Sequence, residues 1–407
     1  SKPDGSILAY QVQERSIIRL VRLPRLHTFD SWIAYPDYRL LWTGNFFANS
    51  AQWMQLLAVG WLVRDLTAGS GTSALQVMTV GGLSTLPVLV FGPWGGVLGD
   101  RVDRRKLVMG IQTFMACCAL LFALLVVSER GLDLSNQTKV WFAYGYVLVS
   151  GVCRSVGQPM RQALVANTVP REAFPNAYAT NVLTITGTRI FSPFIGGILI
   201  ATLGFSTNFM LEAGFYAAMV LMFLPMKTPY QQRSATAGRV SPLTDLKEGI
   251  RFVRTEERAI LTLILLSLIP NVVLHQAWFL LPVFTAEVLR ANADVGGFLL
   301  SITGVGGFIS SVIIASIGFT FKKGMVALAS IILSSVCVIL FSQSAWLLPE
   351  VPLLPAMVFI AVMAFAQAHF RTTEGTLVQL MAPDRFRGRI TSLASYGQGF
   401  VFPFSIL

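Results

Sequence analysis

The sequence predicts an all-α protein that crosses a membrane many times, and three observations support this prediction. Hydrophobic residues make up 54% of the 407 residues and charged residues only 13%, whereas a soluble domain is about a quarter charged. The mean hydropathy is +0.63. Apolar runs of about 20 residues, long enough to span a bilayer as a helix, recur along the whole chain.

Eleven of these runs are predicted to be transmembrane helices, called spans 1 to 11 in chain order. They cover residues 39–63, 74–98, 107–128, 139–160, 176–203, 207–226, 259–281, 295–318, 325–343, 353–378 and 390–407. The last run extends to Leu407, with no polar segment after it in this sequence. We therefore expect a plan of two six-helix halves, with the twelfth helix missing from this chain.

The distribution of Lys and Arg predicts the orientation in the membrane. If the N-terminus is cytoplasmic, 24 of the 31 cations, Arg161 among them, fall in cytoplasmic segments and 4 in outer segments. This positive-inside bias predicts a multi-pass protein of the plasma (inner) membrane with a cytoplasmic N-terminus. The net charge of +11 is spread over six cytoplasmic segments, which favours lipid headgroups over nucleic acid as its partner.

The chain is predicted to consist of two halves joined by a loop. Residues 1–38 form a cytoplasmic tail, either an amphipathic helix on the membrane or a partly ordered segment. Spans 1 to 6 lie in residues 39–226, a polar cytoplasmic loop covers 227–258, and the remaining spans lie in 259–407. Residues 163–170 after span 4 resemble residues 376–383 at the end of span 10. Repeated halves around a midplane site are typical of secondary transporters.

Residues 96–106 place six charges between spans 2 and 3. Such a cluster fits a tight loop at the membrane surface. Glycines at 95, 96 and 99 allow another helix to approach closely. The Asp100 carboxylate can accept hydrogen bonds from the N–H groups at the start of a neighbouring helix. Alternatively, these charges only set the topology and bind lipid headgroups.

Four motifs resemble those of one family, the major facilitator superfamily. The run Gly96-x-Leu98-x-Asp100-Arg101-x-x-Arg104-Arg105-Lys106 resembles the superfamily signature between helices 2 and 3. The others are Arg154-x-x-Gly157 in span 4, the exporter-like Ser192-Pro193-x-x-Gly196-Gly197 in span 5, and Arg387-Gly388-Arg389 before span 11. The chain looks most similar to the macrolide-efflux and enterobactin-exporter branch of drug:H+ antiporters. The resemblance covers residues 35–407 and implies two six-helix halves related by a pseudo-twofold axis.

The resemblance also implies a gate. In the superfamily's arrangement Asp100 would meet the start of helix 11, join the two halves on the cytoplasmic side and favour the outward-open state. The gating residues would be Gly96, Gly99, Asp100, Arg101, Arg104, Arg105, Gly388 and Arg389. Superfamily members often carry an acid at the inner end of helix 4, which this chain lacks. The partner of Arg104 therefore stays open between Asp103, Glu172 and the carbonyl end of a helix.

Charges inside the spans are the next candidates, because each costs about 2.5–3.5 kcal/mol on an insertion scale unless it is paired or hydrated. They are Arg154, Arg189, Glu212, Arg371 and Glu374. We predict that Glu374 couples transport to protons, since the protonation of a carboxyl group in a low dielectric responds to nearby charge and to conformation. The alternative is a local i, i+3 salt bridge with Arg371. Glu212 is expected to reach the membrane interface.

Polar side chains on spans 1 and 7 are predicted to line a substrate cavity. Asn45, Asn49, Gln52 and Trp53 share one helix face, which lines either the cavity or a contact between helices, and span 7 repeats this spacing. The cavity candidates are Asn45, Asn49, Gln52, Trp53, Arg154, Gln158, Asn271, His275, Trp278, Gln367 and Arg371. Alternatively, Arg154 donates hydrogen bonds to helix-end carbonyl groups, and His275 is a hydrogen-bonded histidine of the protein core. Pro193, Gly196 and Gly197 are expected to shape span 5.

No enzyme, cofactor or metal site is predicted, because the sequence has no phosphate loop, no Ser/His/Asp arrangement and no metal-ligand spacing. The four cysteines lie within spans as packing residues. The prediction is a proton-coupled exporter of amphipathic or hydrophobic small molecules (drug, siderophore or lipid-like), with protons and membrane lipids as partners. The alternative is a non-transporting scaffold or accessory subunit among other membrane subunits. A polar cavity reaching Arg154 and Asn45 would favour transport, and a sealed apolar centre the scaffold.

Overall fold

A computed structural model describes residues 29–127, 134–230, 250–252, 254–255, 258–270, 276–317 and 323–381. For residues 89, 92–101, 269, 276, 315–317, 323, 379 and 380 it describes the backbone only. The described part is helical and contains no strand.

Ten long helices in the described ranges correspond to spans 1 to 10 and take the same numbers. They are α1 Pro36–Leu66, α2 Ser73–Arg101, α3 Arg104–Val127, α4 Asn136–Thr168, α5 Phe174–Leu203, α6 Phe205–Phe223, α7 Arg258–Ile269, α8 Ala293–Ile317, α9 Lys323–Ser342 and α10 Leu353–Met381. Short helices cover Asp30–Ala34, Gln276–Phe279, Leu281–Val283 and Ser344–Leu347, and a π-helix covers Phe284–Val288. Span 11 lies outside the described residues.

The structure extends one predicted span and describes another only in part. The prediction ends span 4 at residue 160, but α4 continues to Thr168. Arg161, which the prediction counted in a cytoplasmic segment, lies inside this helix and is buried. In span 7 the structure describes helix over Arg258–Ile269 and again from Gln276, and residues 271–275 lie outside the described residues.

The helices bury polar side chains and expose apolar ones. Five described helices, α3, α5, α8, α9 and α10, are long and apolar enough to cross a membrane. Helices α1, α4 and α6 carry polar side chains that are buried, among them Asn45, Arg161 and Glu212. Large apolar side chains such as Leu121 and Ile332 are 66% and 64% exposed. This arrangement, apolar outside and polar inside, is that of a bundle surrounded by lipid.

The helices pack as two groups. In the first group α1 packs against α5 and α6, α3 packs against α6, and α2 packs against α4. In the second group α10 packs against α8 and α9. The pair α2 and α4 thus corresponds to α8 and α10, as the sequence repeat predicts. The two groups contact each other mainly along α5 and α8, with smaller contacts from Leu281–Val283 to α1 and from Gln276–Phe279 to α2.

In one part of the contact between α5 and α8 the backbones themselves touch, and we call this part, formed by Pro193, Gly197, Ala293 and Gly297, the glycine seam. A Cβ atom built at Gly297 would lie 2.3 Å from the Pro193 carbonyl oxygen, and one at Gly197 would lie 2.6 Å from the Ala293 oxygen. The seam lies near the end of α5 and the start of α8, at the membrane face opposite the start of α1. Glycine is needed here because no side chain fits between the helices.

The charged run after α2 anchors the start of α3. Asp103 Oδ1 accepts hydrogen bonds from the backbone N–H groups of Arg105 at 3.0 Å and Lys106 at 3.2 Å, which caps the helix N-terminus. The Arg105 guanidinium donates to the carbonyl oxygens of Phe223, at 2.8 Å, and Leu224. A cation at these carbonyls also stabilises the α6 helix dipole. The partner of Arg104 stays open between the three candidates.

We expect the Arg105→Gln variant to unfold more easily than the wild type, by about 1–2 kcal/mol, because α6 loses charge-assisted hydrogen bonds at its C-terminal end. Thermal unfolding of the purified protein in detergent measures the difference. The matched control is Lys106→Gln, which removes an adjacent charge from an exposed side chain. An equal loss of stability in both variants would show that only the charge of the loop matters.

Candidate functional site

A polar pocket lies inside the first group of helices. It is lined by side chains from α1, α2, α3, α4 and α6, including Gln52, Gln55, Ser84, Gln112, Arg154, Gln158, Arg161 and Tyr216. Its water-accessible space is about 40 Å³, so the pocket is large enough to hold water. This first-half pocket brings together three of the predicted cavity residues: Gln52, Arg154 and Gln158.

The α4 side of this pocket carries two arginines with different partners. Arg154 donates from Nη2 to the Ser84 carbonyl oxygen of α2 at 2.8 Å, the bond to a helix carbonyl that the sequence left open. Arg161 is 4% exposed and donates from Nη1 to Asn49 Oδ1 at 3.2 Å. The sequence analysis missed Arg161 as a site residue. Its spacing from Arg154 and Gln158, i, i+4 and i+7, was the signal that places it on the same face.

The predicted cavity residues Asn45 and Asn49 connect α1 to α5. Asn45 Nδ2 donates to Asn181 Oδ1 at 2.8 Å, and Asn49 Nδ2 donates to Thr184 Oγ1 at 3.0 Å. Both asparagines are buried. They also line a smaller pocket together with Gln158, Arg161, Gln162, Asn181 and Ile185. In this conformation the asparagines join α1 to α5 at the edge of a pocket. The predicted α1 face therefore forms a contact between helices and also lines a pocket.

Glu212 lies deep inside the first group of helices, so the expectation that it reaches the membrane interface was wrong. The side chain has no exposed surface. The Tyr146 hydroxyl donates to its Oε1 at 2.5 Å, and Oε2 has no hydrogen-bond partner among the described residues. Asn208, one turn earlier on α6, is also buried and donates to the Gly196 carbonyl oxygen. The shared face of Asn208, Glu212 and Tyr216 was a signal in the sequence that α6 turns polar groups inwards.

A second polar group lies where the two groups of helices meet, and we call it the Arg189 cluster: Arg189, Trp53, Trp278 and Thr303. Arg189 Nε and Nη2 donate to Thr303 Oγ1 of α8 at 3.2 and 3.0 Å. Its guanidinium carbon lies 4.0 Å from the ring centre of Trp278 and 5.4 Å from that of Trp53. The predicted cavity residues Trp53 and Trp278 thus meet around an arginine that sequence analysis had noted only as a charge.

Helix α10 carries the third set of polar residues. Gln367 and Glu374 are buried, and Gln367 Nε2 and Glu374 Oε1 find no hydrogen-bond partner among the described residues. Arg371 is exposed and interacts electrostatically with Glu374. The sequence repeat that matches residues 163–170 with 376–383 also aligns these three positions with Arg154, Gln158 and Arg161 of α4. Each half therefore has an arginine-containing polar triad on its equivalent helix.

Several predicted site residues cannot be placed. Asn271 and His275 of span 7, and Gly388 and Arg389 before span 11, lie outside the described residues. For Gly96, Gly99, Asp100 and Arg101 the structure describes the helical backbone at the end of α2 but not the side chains. The predicted contact between Asp100 and helix 11 therefore stays a prediction.

A bundle of two helix groups, apolar outside and with buried charged residues inside, is the architecture of the major facilitator fold. Solved structures of this class share the fold: a D-xylose–proton symporter superimposes with a TM-score of 0.71 at 13% identity, covering 91% of this chain and 88% of the symporter. A bacterial homologue of the iron transporter ferroportin, in an inward-facing state, superimposes with a TM-score of 0.65 at 16% identity, covering 91% and 90%. These likenesses confirm the predicted all-α fold of two six-helix halves.

The sequence profile of the family described as "Transmembrane secretion effector" matches residues 31–400, and the chain belongs to this family of the major facilitator superfamily. The enterobactin exporter EntS of Escherichia coli O1:K1 is 25% identical over 366 residues, which cover 88% of this chain and 81% of the exporter. An uncharacterised transporter, YfiS of Bacillus subtilis, is 26% identical over 273 residues, covering 65% of this chain and 60% of YfiS. The resemblance to this branch is confirmed, and the chain is a transporter and not an enzyme.

Proposed function

We propose that this transporter is a proton-coupled exporter that works by alternating access in the plasma membrane, with its N-terminus in the cytoplasm. The observation that carries the proposal is the polar interior. The first-half pocket reaches Arg154, and the neighbouring smaller pocket reaches Asn45 and Asn49. A membrane scaffold would have no use for such costly buried groups. The relationship to a named exporter supports the direction of transport.

The glycine seam supports the alternating-access part of the proposal. With the N-terminus in the cytoplasm, the seam lies at the outer face, so the protein is closed towards the outside at α5 and α8. An exporter receives its substrate in such a state. In the opposite state we propose that Asp100, at the end of α2, meets the start of helix 11 near Gly388 and Arg389 and closes the cytoplasmic side.

For proton coupling we propose Glu374. It is one of the two acidic residues that are buried in the described part of the chain, the other being Glu212. Each acid has one oxygen without a described partner, but Glu212 accepts a hydrogen bond from Tyr146, whereas Glu374 interacts electrostatically with Arg371. A carboxyl group in this position can exchange its arginine partner for a proton when the substrate or the conformation changes. The other proposed cavity residues, Gln52, Trp53, Gln158, Trp278 and Gln367, would contact the substrate.

The test is transport by proteoliposomes under an imposed pH gradient, using a panel of anionic, neutral and cationic fluorescent amphipathic compounds. We expect Glu374→Gln to reduce gradient-driven export by at least about tenfold, as expected for loss of a group essential to the coupled step, while substrate binding persists. The matched control is Glu350→Gln, an exposed acid between α9 and α10. Undiminished export by Glu374→Gln would exclude this residue as the coupling group. A wild type that transports no compound of the panel would favour the scaffold.

A further inference from the structure

We propose that the Arg189 cluster binds the anionic group of the transported molecule, and that the substrates are organic anions with an aromatic or other flat apolar body. The inference rests on the proposed function, because it names the substrate class of the same transporter. Four features of the chain support it: the balance of charges inside the membrane, the hydrogen bonds of Arg189, its two tryptophan neighbours, and its position opposite Arg371.

The charges inside the membrane do not balance. Helices α4, α5 and α10 contain four arginines, and the spans contain two glutamates in their interior, one in α6 and one in α10. The arginines are Arg154, Arg161, Arg189 and Arg371, and the acids are Glu212 and Glu374. The sequences of residues 271–275 and 390–407 add no acid. Uncompensated cations in a low dielectric are costly, so this interior favours a negatively charged guest and disfavours a positive one.

Arg189 has no acidic hydrogen-bond partner among the described residues. Its described hydrogen bonds run from Nε and Nη2 to one neutral oxygen, Thr303 Oγ1. That hydroxyl in turn donates to the Leu300 carbonyl oxygen at 2.6 Å, which fixes its position. The planar fork of a guanidinium group matches the two oxygens of a carboxylate or phosphate far better than a single hydroxyl. Thr303 therefore holds the guanidinium group in place, and its remaining N–H donors suit an anion.

The two tryptophans add an apolar, aromatic surround. Trp278 lies 4.0 Å and Trp53 5.4 Å from the guanidinium carbon, within the range of cation–π attraction. Trp278 is buried, whereas Trp53 is partly exposed. A flat apolar body attached to the anionic group can pack on the accessible part of Trp53. This combination selects for molecules in which an anion and an aromatic ring are close together.

Arg189 and Arg371 belong to opposite halves of the protein. Arg189 lies on α5 and Arg371 on α10, and they are close enough for their charges to repel each other. An anion bound between them would replace this repulsion by two attractions. It would therefore bind more tightly to conformations in which the two halves bring these arginines together, and a ligand shifts a conformational equilibrium by this kind of difference in affinity.

The test uses three probes of the same shape and different charge: 2-naphthoate, 2-naphthamide and 2-naphthylmethylammonium. Their affinity for the purified full-length protein in lipid nanodiscs is measured by calorimetry. We expect 2-naphthoate to bind most tightly, and Arg189→Gln to weaken it by about 10- to 100-fold, as expected for the loss of charge-assisted hydrogen bonds. The Arg189→Gln affinity for 2-naphthamide should hardly change, which also shows that the variant is folded. Arg189→Lys should retain part of the preference for the anion.

The matched control is Arg64→Gln, which removes a cation at the end of α1 that pairs with Asp65. It should leave the binding of 2-naphthoate unchanged. Equal affinity of the wild type for the three probes, or an unchanged preference for the anion in Arg189→Gln, would overturn the inference. Proteoliposome transport separates this result from the proposed function. Arg189-dependent binding without any flux would support the anion site and refute export. Flux of the neutral probe alone would support export and refute the anion site.

Discussion

Transport by the Gly297→Ala variant is expected to fall by about 5- to 100-fold, because the added methyl group has no room in the glycine seam. The new Cβ atom would lie 2.3 Å from the Pro193 carbonyl oxygen and 2.9 Å from the Gly197 Cα atom. Both neighbours are backbone atoms, so α5 and α8 must separate. Overpacking of this kind costs about 1–3 kcal/mol, which is subtracted from the stability of the state closed at this face.

The measurement is the initial rate of export from proteoliposomes, with thermal unfolding as a check on folding. Gly187→Ala is the matched control: Gly187 lies on α5, and a Cβ atom there would meet no other atom within 4 Å. That variant should transport like the wild type. Normal export by Gly297→Ala would show that the transport cycle does not require the close backbone contact of the glycine seam.

Tyr146→Phe is expected to lower the free energy of unfolding by about 3 kcal/mol. The change removes the hydroxyl that donates to Glu212 Oε1 and leaves a carboxyl group with no exposed surface without this donor. A buried polar group that loses its partner keeps the full cost of desolvation, and this cost is greatest for ionisable groups. Unfolding of the purified protein in detergent, followed by circular dichroism, measures the loss.

A double variant makes this prediction specific. Tyr146→Phe combined with Glu212→Leu replaces both partners by apolar groups and should recover most of the lost stability. Tyr144→Phe is the control on the same helix. It removes a hydroxyl that donates to the Gln76 carbonyl oxygen at 3.0 Å in a partly buried position, and should cost about 0.5–1.5 kcal/mol. A loss for Tyr146→Phe no larger than this, or no recovery in the double variant, would contradict the assignment.

The fold could be predicted from the sequence because bilayer thickness imposes a length on every apolar run. Helices α1 to α6 and α8 to α10 therefore lie where hydropathy placed spans. The predicted end of span 4 was wrong because this helix carries polar residues near its end. Arg161 was counted as cytoplasmic because hydropathy drops after residue 160, although burial allows the helix to continue to Thr168.

The candidate site was less predictable, because its contacts join residues that are far apart in the chain. Trp53, Arg189, Trp278 and Thr303 come from four different helical segments. The sequence shows each as a polar or aromatic residue within an apolar run, and nothing in their spacing indicates that they meet. Glu212 illustrates the same difficulty. The sequence shows its position along α6, but whether its side chain points inwards, as that of Asn208 does, depends on the packing of α6 against α1 and α3.

The use of glycine in the seam has a consequence for the energy landscape of the transport cycle. Contacts between backbone atoms depend on dispersion and weak C–H···O interactions, which lose much of their strength within about 1 Å. Long side chains could reorient to follow a moving partner, but Gly197 and Gly297 have none. The attraction across the glycine seam is therefore nearly complete or nearly absent. A transporter with such a junction behaves as a bistable switch, and its intermediates are brief crossings between two basins.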